Sequence, residues 1–320
     1  MDLSRRSFLM ATGAAGITGL PGCVGMDKVG NGPVGSKERS FACDHNTAMI
    51  QHPLVNRKLR FTVISDVHYA LIDDRDAAYR KNAARMSQYA GSDESFDKAI
   101  DAAKKWGSEI LILPGDLVSF PSQANVEHAL AKIRDGGLDW IYTSGNHDWH
   151  FEGVPGTDNE QRAKWIKRLE PLYRGANPMM SSEIVGGVRM VTIDNSTYRI
   201  LPEQLSFLRA ELAKGDPTCL FMHIPLYLPL RPILYTLGNP DWGEASDNYY
   251  GYENRLKWDK DGQPRESFGL RELVFSAPNV VGVFTGHLHI LQTGVVNGVP
   301  QFVVPGNLGT GDSLNVELRA

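Results

Sequence analysis

Short apolar runs alternate with longer amphipathic segments along much of this chain. The apolar runs have the length and the β-branched or aromatic content of buried strands. The strands predicted in this way are Leu59–Ile64, Ile110–Leu113, Trp140–Thr143, Thr218–Met222 and Val280–Thr285. Apolar residues at helical spacing predict helices over Ser92–Trp106, Ser122–Arg134, Asn159–Tyr173 and Pro202–Ala213. Strand–helix–strand alternation of this kind implies parallel βαβ units.

Two extended segments in the second half of the chain are interrupted by two-residue turn sequences. Gly186-Gly187 interrupts the segment 182–194, and Asn297-Gly298 interrupts the segment 290–304. Such dipeptides between extended segments are typical of β-hairpins. The chain therefore combines parallel units with antiparallel hairpins, which is typical of an α/β protein.

The start of the chain has the pattern of an export signal. Ser4–Leu9 contains twin arginines, and the apolar stretch that follows ends at Leu20, too short for the roughly 20 apolar residues of a membrane-spanning helix. Leu20–Cys23 is similar to a bacterial lipobox, whose cysteine would be acylated. Lipidation of Cys23 and simple cleavage within Thr18–Gly25 are the two alternatives. We therefore expect export across the bacterial inner membrane, to the periplasm or the cell surface, with or without a lipid anchor.

Composition divides the chain into three parts. We predict an export signal over residues 1–24, a flexible tether over residues 25–54, and a catalytic domain over residues 55–320. Within the domain, residues 226–265 form a long insertion with little periodicity and many aromatic residues. These rings either stack on a nucleobase or pack the insertion onto the domain, and the sequence leaves both open.

The charge balance restricts the classes of partner. The chain has 33 Lys and Arg against 37 Asp and Glu, a formal net charge of −4, so it lacks the basic surface expected for binding a nucleic-acid duplex. The three cysteines, Cys23, Cys43 and Cys219, do not have the spacing of a zinc finger or a redox motif. The composition does not indicate an oligomeric state.

Polar clusters follow each of the five predicted strands at the point where the strand ends. They are Asp66 and His68; Asp116; Asn146, His147 and Asp148; His223; and His287 and His289. Because the carboxyl ends of parallel strands meet at one edge of a sheet, we expect these side chains to lie together. Carboxylate, imidazole and amide ligands suit Mn, Fe or Zn. There are too many for one tetrahedral ion, whereas two metals that share a bridging carboxylate would use them all.

The order of these clusters resembles that of the calcineurin-like metallophosphoesterase superfamily. Asp-x-His, Gly-Asp, Gly-Asn-His-Asp, His and Gly-His-x-His occur in sequence between about Leu59 and Asn307. The resemblance implies an α/β fold, a four-layer αββα sandwich of two mixed β-sheets flanked by helices. It implies a first metal held by Asp66, His68, Asp116 and His289, and a second held by Asp116, Asn146, His223 and His287, with Asp116 as the bridge.

The resemblance also implies roles for the two residues that do not bind metal. His147 would donate a proton to the leaving group or bind the phosphate, and Asp148 would orient it. A hydroxide bridging the two divalent or trivalent ions would attack phosphorus directly. Purple acid phosphatases carry a tyrosine where this chain has Ser119, so a tyrosinate–iron charge-transfer site is not expected.

We therefore expect an exported dinuclear metal-dependent phosphoesterase that hydrolyses phosphate mono- or diesters. Its substrate would be a phosphorylated small molecule, with nucleotides among the candidates. Two alternatives stay open: a cyclic-nucleotide phosphodiesterase, and a cell-surface metal-binding or interaction protein with vestigial activity.

Overall fold

The computed structural model describes residues 23–25, 39–87, 90–229, 236–240 and 263–320. In chain order the strands are β1 (Cys23–Gly25), β2 (Ser40–Asp44), β3 (Thr47–Gln51), β4 (Leu59–Val63), β5 (Ile110–Pro114), β6 (Trp140–Thr143), β7 (Met180–Val185), β8 (Val188–Ile193), β9 (Thr218–Phe221), β10 (Val280–Thr285), β11 (Gln292–Val296), β12 (Val299–Val303) and β13 (Leu314–Arg319). The α-helices are α1 (Arg80–Met86), α2 (Asp93–Trp106), α3 (Gln123–Gly136), α4 (Asp158–Trp165), α5 (Glu170–Tyr173), α6 (Pro202–Leu212) and α7 (Arg265–Ser276).

The strands form two mixed sheets that face each other. The first has the order β1-β2-β3-β13-β4-β5-β6, with β4, β5 and β6 parallel. The second has the order β11-β12-β10-β9-β8-β7, with β8, β9, β10 and β12 parallel. Helices cover the outer face of each sheet, so the predicted four-layer αββα sandwich is confirmed. The parallel strands of both sheets bring their carboxyl ends to one edge of the molecule.

Three apolar layers hold the sandwich together. The layer between the sheets contains a cluster of three rings, in which the Phe61 centroid lies 5.9 Å from that of Phe221 and 5.4 Å from that of Phe284. A second layer joins the first sheet to α1–α5, and a third joins the second sheet to α6 and α7. Because both faces of the central strands are covered, Ile110–Pro114 is buried at every position, which explains its continuous apolar sequence.

Two of the predicted helices begin and end where the sequence signals lie. The hydroxyl of Ser92 accepts a hydrogen bond from the backbone N–H of Ser95 at the start of α2. Gly107 ends that helix in the left-handed conformation, with φ 76°. Ser122 and Gly137 delimit α3 in the same way. Both hairpins predicted at Gly186-Gly187 and Asn297-Gly298 are also present, as β7–β8 and β11–β12.

The predicted helix Asn159–Tyr173 is wrong as a single element. It is divided into α4, a 3-10 turn over Ile166–Leu169, and α5. Pro171 lies in the first turn of α5, and because proline has no N–H it cannot continue the hydrogen bonding of the preceding helix.

The predicted tether over residues 25–54 is too long. Its second half contains β2 and β3, a hairpin at the side of the first sheet. Only Cys43, Ala48 and Ile50 of this hairpin are buried. Because so few of its residues point inward, its sequence lacks the clear alternation of apolar and polar residues that predicts a strand. Residues 26–38 of the tether lie outside the described part of the chain.

Two further predictions fall largely outside the described residues. Apart from residues 23 and 24, the export signal is not described, nor are residues 230–235 and 241–262 of the aromatic insertion. In the part of the chain that is described, no helix has the length and apolar character needed to cross a membrane.

Candidate metal centre

The polar residues that follow β4, β5, β6, β9 and β10 converge at the shared edge of the two sheets. Their potential ligand atoms form three overlapping groups, in each of which all atoms lie within 4.8 Å of one another. The groups are Asp66, His68 and His289; His68, Asp116 and His147; and Asp116, His223 and His287. The convergence that the sequence predicted for these residues is therefore present.

Asp116 lies at the centre of the convergence. Its Oδ2 is 3.1 Å from His223 Nε2, 3.7 Å from His68 Nε2 and 4.0 Å from His147 Nε2. Its Oδ1 accepts a hydrogen bond of 2.8 Å from the backbone N–H of His147. One carboxylate therefore contacts loops from both sheets.

A second carboxylate, Asp66, faces the far end of the group. Its Oδ1 lies 3.2 Å from His289 Nε2, and that nitrogen is 3.3 Å from His68 Nε2. Both Asp66 oxygens also lie 3.1 Å from the backbone nitrogen of His287. The loop after β10 is thus held to the loop after β4 by side-chain and backbone contacts.

Left-handed backbone conformations aim these side chains inward. Five residues of the site have positive φ angles: Asp66 (56°), His68 (57°), Asp116 (51°), His287 (72°) and His289 (54°). Each costs about 1–3 kcal/mol for a residue other than glycine, and such strain persists only where the surrounding structure fixes it. The regular strand geometry therefore ends at these residues, which lets alternate side chains point to one place.

The glycines that precede two of the clusters are required by close packing. A Cβ on Gly145 would lie 2.2 Å from Asp116 Oδ1, and a Cβ on Gly286 would lie 2.5 Å from Asp66 Oδ2. Only a residue without a side chain fits beside each carboxylate. This is a physical reason for glycine in Gly-Asn-His-Asp and Gly-His-x-His.

The two carboxylates are buried and remain ionised because imidazoles surround them. Burial tends to raise the pKa of Asp116, but the nearby histidines, His223 foremost, hold that pKa well below its usual value. Burial and the proximity of His289 act on Asp66 in the same opposing way, with a net lowering of its pKa. The site therefore presents two negative charges to a group of ring nitrogens.

The imidazoles respond differently according to their neighbours. Burial lowers the pKa of His68 to about 4, which keeps its ring neutral. Burial also tends to lower the pKa of His223, but the charge of Asp116 outweighs it and raises that pKa to about 9. When no cation is bound, the protonated ring of His223 therefore supplies the positive charge beside Asp116.

The donor geometry fits metal ions. The carbonyl of Pro114 can only accept, so His223 Nδ1, 2.8 Å away, donates its N–H to it. The Nε2 of a neutral His223 then directs a lone pair toward the region of Asp116 Oδ2, 3.1 Å away. Two atoms at that separation can both bind one ion at the usual ligand distance of about 2.1 Å. Imidazole with carboxylate is a donor set that suits Mn, Fe or Zn.

The loop after β6 carries the three other predicted site residues. Asn146, which precedes His147 in the chain, is buried, while 12% of the His147 side chain is exposed, so His147 can be reached from solvent. The carboxylate of Asp148 accepts backbone N–H groups from Asp116 (2.8 Å), Val118 (2.9 Å) and Gly145 (2.7 Å). Asp148 therefore joins the loops after β5 and β6, and the predicted orientation of His147 by Asp148 stays a prediction. Burial and the charge of Asp116 raise the pKa of Asp148 to about 7.

The sequence did not identify two residues that contact the site. Tyr198 donates or accepts a hydrogen bond between its hydroxyl and His287 Nε2. Asn195 is hydrogen-bonded to the backbone of Ile224, the residue after His223. Both follow β8, and Asp194-Asn195-Ser196 is a polar cluster at a strand end, the same signal that revealed the other loops.

Ser119, which stands where purple acid phosphatases have tyrosine, is buried beside the site. Its hydroxyl lies 3.4 Å from His68 Nδ1. The hydroxyl thus faces the back of the His68 ring, on the side away from His289.

Comparison with known proteins gives one family and several similar structures. The model of the calcineurin-like phosphoesterase family matches residues 59–291, which include every predicted site residue. A dimetal phosphatase from Danio rerio has a TM-score of 0.46 and 13% identity over 78% of this chain and 88% of that one. A purple acid phosphatase from yellow lupin has a TM-score of 0.49 and 14% identity over 85% of this chain and 48% of that one. A putative 5'-nucleotidase from Staphylococcus aureus has a TM-score of 0.44 and 14% identity over 78% and 49% of the two chains. Among curated proteins, none matches this sequence significantly.

Proposed function

The chain belongs to the calcineurin-like phosphoesterase family of metal-dependent phosphoester hydrolases, and on that premise we propose that it is an exported enzyme with two metal ions that hydrolyses phosphate esters of small molecules. The observation that carries the proposal is the position of Asp116. Its carboxylate contacts imidazoles from both sheets, at 3.1 Å from His223 and 3.7 Å from His68. A shared carboxylate of this kind is what two neighbouring ions require.

The candidate ligands form two sets, one at each end of the site, and each set would hold one ion. Asp66, His68, Asp116 and His289 would hold the first ion, and Asp116, Asn146, His223 and His287 would hold the second. Mn, Fe and Zn are the candidate metals. When bound, such a pair neutralises charge on the phosphate and lowers the pKa of water at the site.

The remaining residues act on the substrate. His147 would give a proton to the leaving oxygen. Its partly exposed side chain, with Nε2 4.0 Å from Asp116 Oδ2, supports this role. The hydrogen bond from its backbone to Asp116 keeps the two residues in a fixed relation. General acid catalysis of this kind contributes roughly 10²–10⁴-fold to the rate.

The test is a hydrolysis panel on the purified protein, stripped of metal and reloaded with Mn, Zn or Fe. It compares a chromogenic phosphate monoester, a chromogenic diester and cyclic nucleotides. We expect activity that returns with metal, and the ratio of the three rates distinguishes phosphatase from diesterase or cyclic-nucleotide phosphodiesterase. Absence of turnover with every metal, in a protein that binds two ions, would contradict the proposal and favour the binding-protein alternative.

A histidine pair separates chemistry from folding in the same panel. His147→Ala should keep its bound metal and lose roughly 10²–10⁴-fold in kcat. His128→Ala is the control, because His128 lies on α3, where its Nε2 is hydrogen-bonded to Asp93 at 2.7 Å. Normal turnover in His147→Ala would exclude it as the proton donor.

Export is supported by the sequence alone. The arginines of Ser4–Leu9 would direct the chain to the twin-arginine pathway, and Cys23 would be the acylated residue of a lipobox. Mass spectrometry of the mature amino terminus in a bacterial host separates the outcomes: a diacylglyceryl cysteine supports a lipid anchor, and a free amino terminus within Thr18–Gly25 supports release. Retention of the full chain in the cytoplasm would contradict export.

A further inference from the structure

The loop after β8 carries none of the predicted metal ligands, yet it is hydrogen-bonded to three loops that do. We call residues Asp194–Tyr198 the β8 loop. Asn195 contacts the loop after β9, Tyr198 contacts the loop after β10, and Ser196 contacts the loop after β6. Because β8, β9 and β10 are adjacent and parallel, this loop lies beside the imidazoles of the second sheet.

Tyr198 makes the most direct of these contacts. Its hydroxyl is hydrogen-bonded to Nε2 of His287, and the two rings meet edge to face with centroids 5.5 Å apart. Tyr198 is buried, with 2% of its surface exposed, and has a φ of 56°. A bulky residue in the left-handed region is an outlier, so the surrounding loop fixes this ring against its own backbone preference.

The hydrogen bond also bears on which nitrogen of His287 can bind a cation beside Asp116 and His223. With Nε2 directed to the Tyr198 hydroxyl, Nδ1 becomes the nitrogen that can bind a cation. If the phenol oxygen accepts, His287 carries its proton on Nε2 and is held as the neutral tautomer that metals bind. A phenol does this without adding negative charge to a site that already contains two carboxylates.

The other contacts of the β8 loop hold it in place. Asn195 donates from Nδ2 to the carbonyl of Ile224 at 2.7 Å and accepts the N–H of Ile224 at 3.0 Å, which fixes the backbone next to His223. Asp194 Oδ1 accepts from the backbone of Ser196, and Ser196 Oγ accepts from Trp149 Nε1 at 2.8 Å. The whole segment is buried, so it is a built part of the site.

We propose that Tyr198 is a positioning residue for His287, and that the β8 loop orients the imidazoles of the second sheet for metal binding. This inference rests on the proposed two-metal function. Tyr198 touches no reacting atom in this assignment and acts only through the orientation and tautomer of one ligand. The ion assigned to Asn146, His223 and His287 should therefore depend on it more than the other ion.

Tyr198→Phe removes only the hydroxyl and keeps the aromatic ring. We expect the variant to bind one ion normally and the other about 10–100-fold more weakly, the usual effect of removing the partner of a ligating histidine. Competition with a chelator, with Zn or Mn as the probe, gives both affinities. Tyr79→Phe is the matched control, because its hydroxyl accepts from Lys164 Nζ at 2.9 Å and contacts no ligand.

A second measurement does not depend on bound metal. Long-range ¹⁵N–¹H spectra of the metal-free protein report the tautomer of each histidine ring. We expect His287 to carry its proton on Nε2 in the wild type and to populate both tautomers in Tyr198→Phe. Thermal unfolding of the metal-free variants then separates a local loss of orientation from a general loss of stability.

A double-mutant cycle with His287→Ala tests whether Tyr198 acts through that ring. In the wild-type background, Tyr198→Phe should lower the affinity for the second ion. In the His287→Ala background it should have no further effect on metal affinity. If the wild type binds two ions and Tyr198→Phe binds both equally tightly with an unchanged tautomer, the inference is wrong while the proposed function stands. A wild type that does not bind two ions would overturn the proposed function and the inference with it.

Discussion

The two sheets make unequal contributions to the candidate metal centre. The loops after β4, β5 and β6 supply both candidate ligand carboxylates, Asp66 and Asp116, the amide of Asn146 and one candidate ligand histidine, His68. The loops after β9 and β10 supply imidazoles only: His223, His287 and His289. The close contacts run across this division, since Asp116 lies 3.1 Å from His223 and Asp66 lies 3.2 Å from His289. Neither half forms a complete site, so the centre exists only where the two sheets pack together.

The difference between the halves has an electrostatic reason. Two buried carboxylates in one half would repel each other and resist ionisation. The imidazoles of the other half reverse this, because they hold the pKa values of Asp66 and Asp116 below normal despite burial. The acidic half is therefore stable as an ionised pair only in the presence of the imidazole half or of bound cations.

Each half also has its own bracing side chain. Asp148 accepts three backbone N–H groups and joins the loops after β5 and β6. Asn195 bonds both backbone groups of Ile224 and holds the loop after β9. One brace is a carboxyl group, whose pKa burial and the charge of Asp116 raise to about 7, and the other is a neutral amide, so the two halves are held by different groups.

Asp116→Asn should have the largest effect, because it removes the charge that both halves share. The amide keeps the shape of the carboxylate but binds cations poorly as a bridge. We expect kcat to fall by about 10³-fold or more, and bound metal to fall by at least one ion per chain. Steady-state kinetics and elemental analysis of the same preparation measure both.

An Asp116→Asn protein that retains both ions and full turnover would show that the halves are not joined through this residue. Asp139→Asn is the control for the loss of one negative charge. Asp139 lies on the surface before β6 and pairs with Arg174 at 3.4 Å.

Asp148→Asn tests the brace of the acidic half. An amide can present its oxygen on one side only, and its NH₂ group then faces backbone N–H groups that need an acceptor. Leaving buried donors unsatisfied should lower the free energy of unfolding by about 3 kcal/mol. Urea unfolding of the metal-free protein measures the loss. An unchanged midpoint would mean that the three hydrogen bonds add little to this half.

Gly145→Ala tests the close packing inside the acidic half. The added methyl would lie 2.2 Å from Asp116 Oδ1, so the carboxylate must move. We expect a fall of about 10²-fold in kcat, as displacements of about 1 Å produce elsewhere. Gly269→Ala in α7 is the control, since its methyl would meet only a flexible Leu205 carbon at 3.2 Å. Equal activity of the two variants would contradict this packing requirement.

The sequence predicted the residues that converge in the acidic half and the imidazole half more completely than it predicted the residues that support them. Candidate ligands such as Asp116 and His223 follow strongly apolar strands, so strand pattern and motif spacing were enough to select them. Asn195 and Tyr198 were missed although Asp194-Asn195-Ser196 is a polar cluster at the end of β8, because the contacts that give them a role form only where β8, β9 and β10 lie side by side. Hydrogen bonds between distant loops leave no spacing signal along one chain.

The fold was predicted in the same uneven way. The buried central strands and both hairpin turns are local signals, and each appears in the structure. The β2–β3 hairpin was missed because it has only a few inward apolar residues, and its burial depends on β13, more than 250 residues away. Long-range pairing of a weak strand is a tertiary effect that periodicity does not report.

His52 provides the smallest test, because it is a buried histidine without the carboxylate partner that distinguishes His223. Burial and the charge of Arg39 lower the pKa of His52 to about 4, whereas Asp116 raises that of His223 to about 9. Below pH 6.5 the unfolded chain protonates at this position and the folded chain does not, so stability falls as the pH falls. The contribution from His52 between pH 6.5 and 5 is about 2 kcal/mol.

His52→Gln should remove that contribution and leave the metal centre unchanged. Urea unfolding at a series of pH values between 7 and 5 would show a shallower decline for the variant than for the wild type, with equal metal affinity at pH 7. Parallel curves would mean that His52 has the same pKa in the folded and unfolded chains. In that case burial beside Arg39 would not lower the pKa of this core histidine, and the contrast between His52 and His223 would rest on the Asp116 carboxylate alone.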